Sequence, residues 1–116
     1  MTEPASRPWP TELRLDPSKK ALTVVFDTGQ RFALPAEYLR VESPSAEVQG
    51  HGPGQKQIVT GKENVAIAAL EPVGNYAIRI RFDDAHDTGL YTWDYLHELG
   101  REYRTRWAAY LKARGY

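Results

Sequence analysis

Asp83, Asp84, His86 and Asp87 place four ionisable side chains within five positions, directly after the alternating apolar run Ile78, Ile80, Phe82. Carboxylates and an imidazole at that density can hold a hard cation, work as a general acid and base, or cap a turn through backbone N–H groups. The turn reading asks least of the chain, because short acidic side chains bond their own backbone and Gly89 can close the geometry. The site reading places a metal or small ligand at His86, with Asp83, Asp84, Asp87 and His51 nearby. It requires two of the three histidines, His51, His86 and His97, to converge with a carboxylate. Neither a His-x-Asp pair nor a His-Glu-x-x-His helix occurs, so the usual spacings of an iron facial triad and of a zinc-protease helix are missing. His97, among charged neighbours, reads as a surface residue.

Other motifs fall short of a reaction. In GQKQIVTGK, residues 54–62, six residues separate Gly54 from Gly61-Lys62 and Glu63 follows, whereas a phosphate-binding loop needs four and then Ser or Thr. Ser43 and Ser45 lie in a Pro-broken segment with no identifiable His partner for nucleophilic catalysis. Arg101, Arg104 and Arg106, interleaved with Tyr103, Trp107 and Tyr110, could form a docking helix. The clean apolar stripe favours aromatics facing the core and arginines facing water. No catalytic residue is therefore assigned. The expected ligand or partner face joins the acidic turn, His86, Asp83, Asp84 and Asp87, to the helix start at Trp93 and Asp94. The loop residues His51, Gly52, Gly54 and Lys56 complete it.

The elements that would position these residues follow from hydrophobic period. Residues 1–10 carry three prolines and no apolar period, and read as a flexible lead-in with Trp9 as a candidate anchor onto the domain. Leu13 and Leu15, then Leu22, Val24 and Phe26, then Phe32 and Leu34 alternate as strands with one buried face. Asp27-Thr28-Gly29-Gln30 makes a hairpin of residues 22–34. Pro35 precedes one or two helical turns over residues 36–40. Residues 43–64 read as a long Gly- and Pro-punctuated loop, with Ile58 and Val59 as a possible short strand. Val65, Ile67 and Ala69 restart a strand, and a turn follows over residues 71–75. The partner strand, residues 76–82, should pair with it antiparallel. A short strand at Leu90 and Tyr91 leads to Thr92, an N-cap, with Asp94 in the first turn of a helix. Its stripe, Leu96, Leu99, Tyr103, Trp107, Tyr110 and Leu111, continues through Gly100, which can bend or interrupt it. The expected fold is α+β: a twisted, mostly antiparallel, hairpin-rich sheet with a short connector helix and C-terminal helical segments.

Composition bounds the rest. The 116 residues fit a single domain. Fifteen basic residues balance fifteen acidic ones, so no global field draws the chain to nucleic acid or an anionic membrane. The absence of cysteine removes disulfides, thiol chemistry and Cys-ligated metal. With no signal-peptide run and no stretch of eighteen apolar residues, a soluble, cytoplasmic protein is expected. It is expected to be a monomer or weak dimer.

LRVESPSAEV (39–48), GHGPGQK (50–56) and ALEPVGNYAIRIRFDDAHDTGLYTWDYLHELG (69–100) together resemble the gamma-butyrobetaine hydroxylase-like N-terminal domain family, whose small bacterial members are mostly of unknown function. The resemblance covers about residues 11–100 and leaves 101–116 as a C-terminal helical extension. In the eukaryotic hydroxylases such a domain precedes a 2-oxoglutarate- and iron-dependent oxygenase domain and holds zinc through Cys-x-Cys-x-x-Cys and a distant His. The resemblance lays those ligands onto Ser43, Ser45, Val48 and His86, of which only His86 keeps a ligand type. Similar domains are also fused to P-loop iron–sulfur cluster carrier ATPases. The resemblance thus implies a non-catalytic accessory, protein-binding domain tied to metallocofactor assembly or to an oxygenase in trans. Its alternative is a metal-binding domain with a degenerate zinc site at His86. No resident cofactor is expected, with zinc as that alternative.

Overall fold

The computed structural model describes residues 8–45, 48 and 59–115. Strands β1 (Pro10–Leu15), β2 (Ala21–Phe26) and β3 (Arg31–Pro35) form one antiparallel sheet in that order. The alternation of β2 puts Leu22, Val24 and Phe26 fully inside, the outcome that a period of two requires when one face is covered. The β2–β3 hairpin turns where expected. Gly29 takes φ +91°, and the Phe26 and Gly29 amides donate to the carbonyls of Gln30 and Phe26.

Pro35 ends β3 and precedes helix α1 (Ala36–Val41). Six residues form too short a helix to stand by propensity, and its C-terminal carbonyls need partners. Tyrosines supply them: the Tyr91 hydroxyl donates to Leu39 O at 2.5 Å and the Tyr95 hydroxyl to Glu42 O at 2.5 Å.

The second antiparallel sheet runs β4 (Ile67–Val73), β5 (Ala77–Phe82), β6 (Leu90–Thr92). It pairs β4 with β5 as the sequence suggests, but β4 continues through Glu71 and Pro72 to Val73, and the turn narrows to Gly74-Asn75-Tyr76. Proline is tolerated there because β4 lies at the sheet edge, where its missing N–H costs no ladder bond. Val59 is not in a strand, and Ile58 lies outside the described residues.

Thr92 caps helix α2 (Trp93–Arg101), its hydroxyl accepting from the Tyr95 amide at 3.2 Å, and helix α3 (Tyr103–Arg114) follows. The break falls at Glu102 rather than at Gly100. Gly100 answers a different need: a Cβ there would sit 2.4 Å from the Phe32 ring. Among the described residues these are three helices and two three-stranded sheets, an α+β fold. One core cluster draws on both sheets, α1 and α2, with Tyr38, Leu39, Ile80, Tyr91, Leu96 and Leu99 fully buried.

Helix α3 folds back onto α1. Tyr38 meets Tyr103 edge-on at 4.8 Å and Trp107 at 6.1 Å, and Tyr103 and Trp107 stack at 5.9 Å. Leu111, expected on the buried stripe, is exposed, because the helix restart after Glu102 rotates the stripe away from it. Arg101 and Arg104 face solvent, but Arg106 and Arg114 do not. Arg106 reaches Glu42 at 2.9 Å, Glu98 at 2.5 Å and Glu102 at 2.8 Å, while Arg114 and the Tyr110 hydroxyl both donate to Glu37. No helix among the described residues is long and apolar enough to cross a membrane.

Candidate functional site

The acidic turn begins where β5 ends. Ala85 takes φ +73°, an expensive conformation for a side chain with a Cβ, and the turn holds it by backbone closure. The Ala85 amide donates to Phe82 O at 3.2 Å, and the Phe82 amide to His86 O at 3.0 Å. Asp84 is the hub. Its Oδ1 accepts the His86 amide at 3.1 Å, and its Oδ2 accepts Arg40 Nε at 2.9 Å and pairs with Lys62 Nζ at 2.6 Å. Burial opposes the carboxylate charge, but the bonds from Lys62, the His86 amide and Arg40 outweigh it and bring the Asp84 pKa down to about 2. The buried Arg40 Nη1 has no hydrogen-bond partner among the described residues, a cost offset by the Asp84 pair.

Asp83 has a separate job on the outside of the turn. Its Oδ1 accepts the Ala66 amide at 3.1 Å, and its own amide donates to Ala66 O at 2.9 Å, tying the turn to the entry of β4. Asp87 is exposed. The four ionisable residues thus point to different duties rather than to one centre. Among the described residues, no group of three or more His, Asp or Glu side chains is gathered as metal ligands would be.

His86 turns inward. Only 7% exposed, it stands with Nε2 3.0 Å from Ser43 Oγ, and Ser43 is wholly buried. Ser43 therefore does have a histidine partner, which its distance of 43 residues along the chain hid. The Ser45 amide donates to Ser43 Oγ at 3.2 Å, and Thr88 Oγ1 donates to Ser45 Oγ at 2.8 Å. Gly89 leaves room for this packing: a Cβ would lie 2.6 Å from Ser43 Oγ. With Ser43 wholly buried, its contact with His86 links the segment after α1 to the acidic turn inside the fold. The same residues do not fit zinc. Two hydroxyls already in hydrogen bonds and the buried, donor-free side chain of Val48 replace the thiolates that a structural zinc centre uses.

Trp93 and Asp94 lie elsewhere, at the other end of β5, about 17 Å along the strand from the acidic turn. There Pro8, Trp9, Tyr76, Thr92, Trp93 and Asp94 line a cavity of about 320 Å³. Trp9 is anchored by two bonds with Asp27: its amide donates to Asp27 Oδ1 at 3.2 Å, and its carbonyl accepts from the Asp27 amide at 2.8 Å. Its ring meets Trp93 at 6.3 Å with the planes 68° apart. The Trp93 indole N–H donates to Asn75 O at 2.9 Å. Trp9 and Tyr76 are half exposed. Sequence reasoning had no means of joining Trp9 and Tyr76 to Trp93, since three aromatics on three separate segments share no periodicity.

His97 is not a free surface residue. Its Nε2 lies 2.6 Å from Gln30 Oε1 and its ring packs edge-on against Phe26 at 5.0 Å. Burial, with Arg101 nearby, holds its pKa below the usual histidine value. His51, Gly52, Gly54 and Lys56 lie outside the described residues.

The sequence matches the family described as Gamma-butyrobetaine hydroxylase-like, N-terminal, over residues 13–97. No curated protein matches it. A protein solved in solution by NMR is 48% identical over 97% of this chain and 84% of its own, with a TM-score of 0.79. A second NMR structure is 46% identical over 92% of this chain and 84% of its own, with a TM-score of 0.78. A crystal structure of an Acidithiobacillus ferrooxidans protein with unknown function, placed in the DUF971 family, is 37% identical over 85% of this chain and 98% of its own, with a TM-score of 0.67.

Proposed function

The chain belongs to the gamma-butyrobetaine hydroxylase-like N-terminal family, and we propose that it serves as a cytoplasmic, non-catalytic accessory domain that docks a protein partner. One observation carries this reading: the side chains best suited to chemistry are committed to holding the turn. Asp84 is bound to Arg40, Lys62 and the His86 amide, and His86 is bound to buried Ser43. A general acid or base must reach its substrate's proton, and here His86 is buried and Asp84 is taken up by two cations and an amide. What the turn offers outward is a fixed ledge carrying Asp83 and Asp87. A rigid presenting surface suits recognition, since little ordering entropy is lost on binding. The family resemblance suggests a partner in metallocofactor assembly or an oxygenase domain supplied in trans, with this chain a monomer or weak dimer.

Affinity purification of the tagged full chain, beside a variant lacking residues 50–60 and an Asp87→Lys variant, tests the reading. One reproducible companion of either class, lost with the deletion or the charge reversal, is expected. Recovery of no reproducible companion would contradict it.

A further inference from the structure

We infer that the cavity lined by Trp9, Tyr76, Trp93 and Asp94 docks a proline-rich peptide in the polyproline II conformation, with a basic residue beside its prolines. The walls are ring systems on three segments: Trp9 and Trp93 meet at 6.3 Å and 68°, and Tyr76 and Pro8 extend the lining. The chain's own Pro8 thus already places a pyrrolidine ring at this corner. Proline-rich segments dock on aromatic-lined grooves because their rings are apolar and their extended helix is formed before binding.

Hydrogen-bond supply narrows the occupant. The Trp93 amide is taken by Tyr76 O at 3.3 Å, the Trp93 indole N–H by Asn75 O, the Trp9 amide by Asp27, and the Tyr95 amide by the Thr92 hydroxyl. Two donors stay open: among the described residues, neither the Trp9 indole N–H nor the Tyr76 hydroxyl has a partner, and both residues are half exposed. A polyproline II segment has carbonyls with no internal partner and few N–H groups, so it asks a groove for donors and apolar faces. A helical peptide has spent its carbonyls internally and would leave both donors unpaired.

Charge sets the flanking residue. Asp94 is the one charged side chain among the described lining residues, and Arg79 and Arg81, further along β5, are paired with Glu71. An arginine or lysine beside the prolines is therefore favoured, and a glutamate disfavoured. The volume, about 320 Å³, takes a short stretch of chain. The corner is also preformed: backbone bonds hold Trp9 to Asp27, and the Asn75 carbonyl fixes the Trp93 indole. Little ordering is needed on either side of the contact. This groove lies at the opposite end of β5 from the acidic turn and is independent of the docking role proposed there.

The test is a titration of the full chain with a capped peptide of one arginine followed by five prolines, reading the indole ¹H–¹⁵N signals of Trp9, Trp93 and Trp107. Saturable shifts at Trp9 and Trp93 with none at Trp107 are expected. A peptide of equal length with glycine and serine in place of the prolines should bind about tenfold more weakly, since it loses chain entropy on ordering. Glutamate in place of the arginine should also weaken binding, and Asp94→Asn should shrink that difference. Trp9→Phe and Tyr76→Phe keep a ring and lose a donor, at half-exposed positions outside the core, and each should weaken binding about fivefold. Non-saturating shifts, equal binding of the glycine–serine peptide, or unchanged affinity in both phenylalanine variants would overturn the assignment. Concentration-dependent shifts at Trp9 and Trp93 without peptide would assign the groove to a second copy of this chain and overturn the peptide as its occupant.

Discussion

Asp84 shows how a residue that looks catalytic is explained by what it touches. Its side chain is 19% exposed and its carboxylate pairs with two cations, so its low pKa is a stability statement. Above about pH 5 the carboxylate is ionised in both folded and unfolded chains, and its stabilisation is fully present. As pH falls from there towards 2, the unfolded chain takes up the proton first, and the contribution is lost. Between the ordinary value of 3.8 and about 2, the linkage amounts to roughly 2 kcal/mol. Urea unfolding at pH 6 and pH 2.5 should show that loss in the wild type, with a flatter acid limb for Asp84→Asn. The cluster itself was legible in the sequence, as was the alternative that it caps a turn. Its partners Arg40, Lys62 and Ser43 were not, because local spacing carries no information about contacts 22 to 44 residues away. The one signal that joined Ser43 to His86 was the family resemblance, which laid both onto a single ligand set.

At the scale of elements, period predicted well and charge did not. Alternation located the β2–β3 hairpin, and Thr92 announced the start of α2 through its capping chemistry. The end of β4 was misplaced because Pro72 reads as a stop unless the strand is known to lie at an edge. In α3, a run of arginines at exposed-looking spacing concealed Arg106, which meets three carboxylates from three positions. Burial opposes its charge, but the bond to Glu102 and the charges of Glu42 and Glu102 hold its pKa above the ordinary arginine value. Glu42 is only 5% exposed, so removing the guanidinium would take one stabilising cation from a buried charge. Arg106→Met should cost about 3 kcal/mol by chemical denaturation. Pairing it with Glu42→Gln should recover part of that loss, since the buried charge that Arg106 stabilises is then gone.

Across the whole molecule, β5 separates two regions that the sequence had merged into one face. Its Phe82 end carries the acidic turn, built from groups that hold one another, and its Ala77 end carries the aromatic cavity, where large rings stay open to solvent. Local pattern could not divide them, because Trp93 follows His86 by only seven positions while β6 carries the chain back along β5 between them. The similarity to the two NMR structures and the crystal structure extends over most of this chain, and fold alone does not name a function. The central claim is that the acidic turn belongs to the framework. Native-state hydrogen exchange tests it most directly, through the amides of Phe82, Asp83, Ala85 and His86, all bonded within the turn or to Ala66 at the entry of β4. These amides should exchange only with global unfolding, at the free energy of the core strands. Exchange of these four amides through a low-energy local opening, while β5 up to Arg81 stays protected, would contradict it and mark the turn as a mobile site.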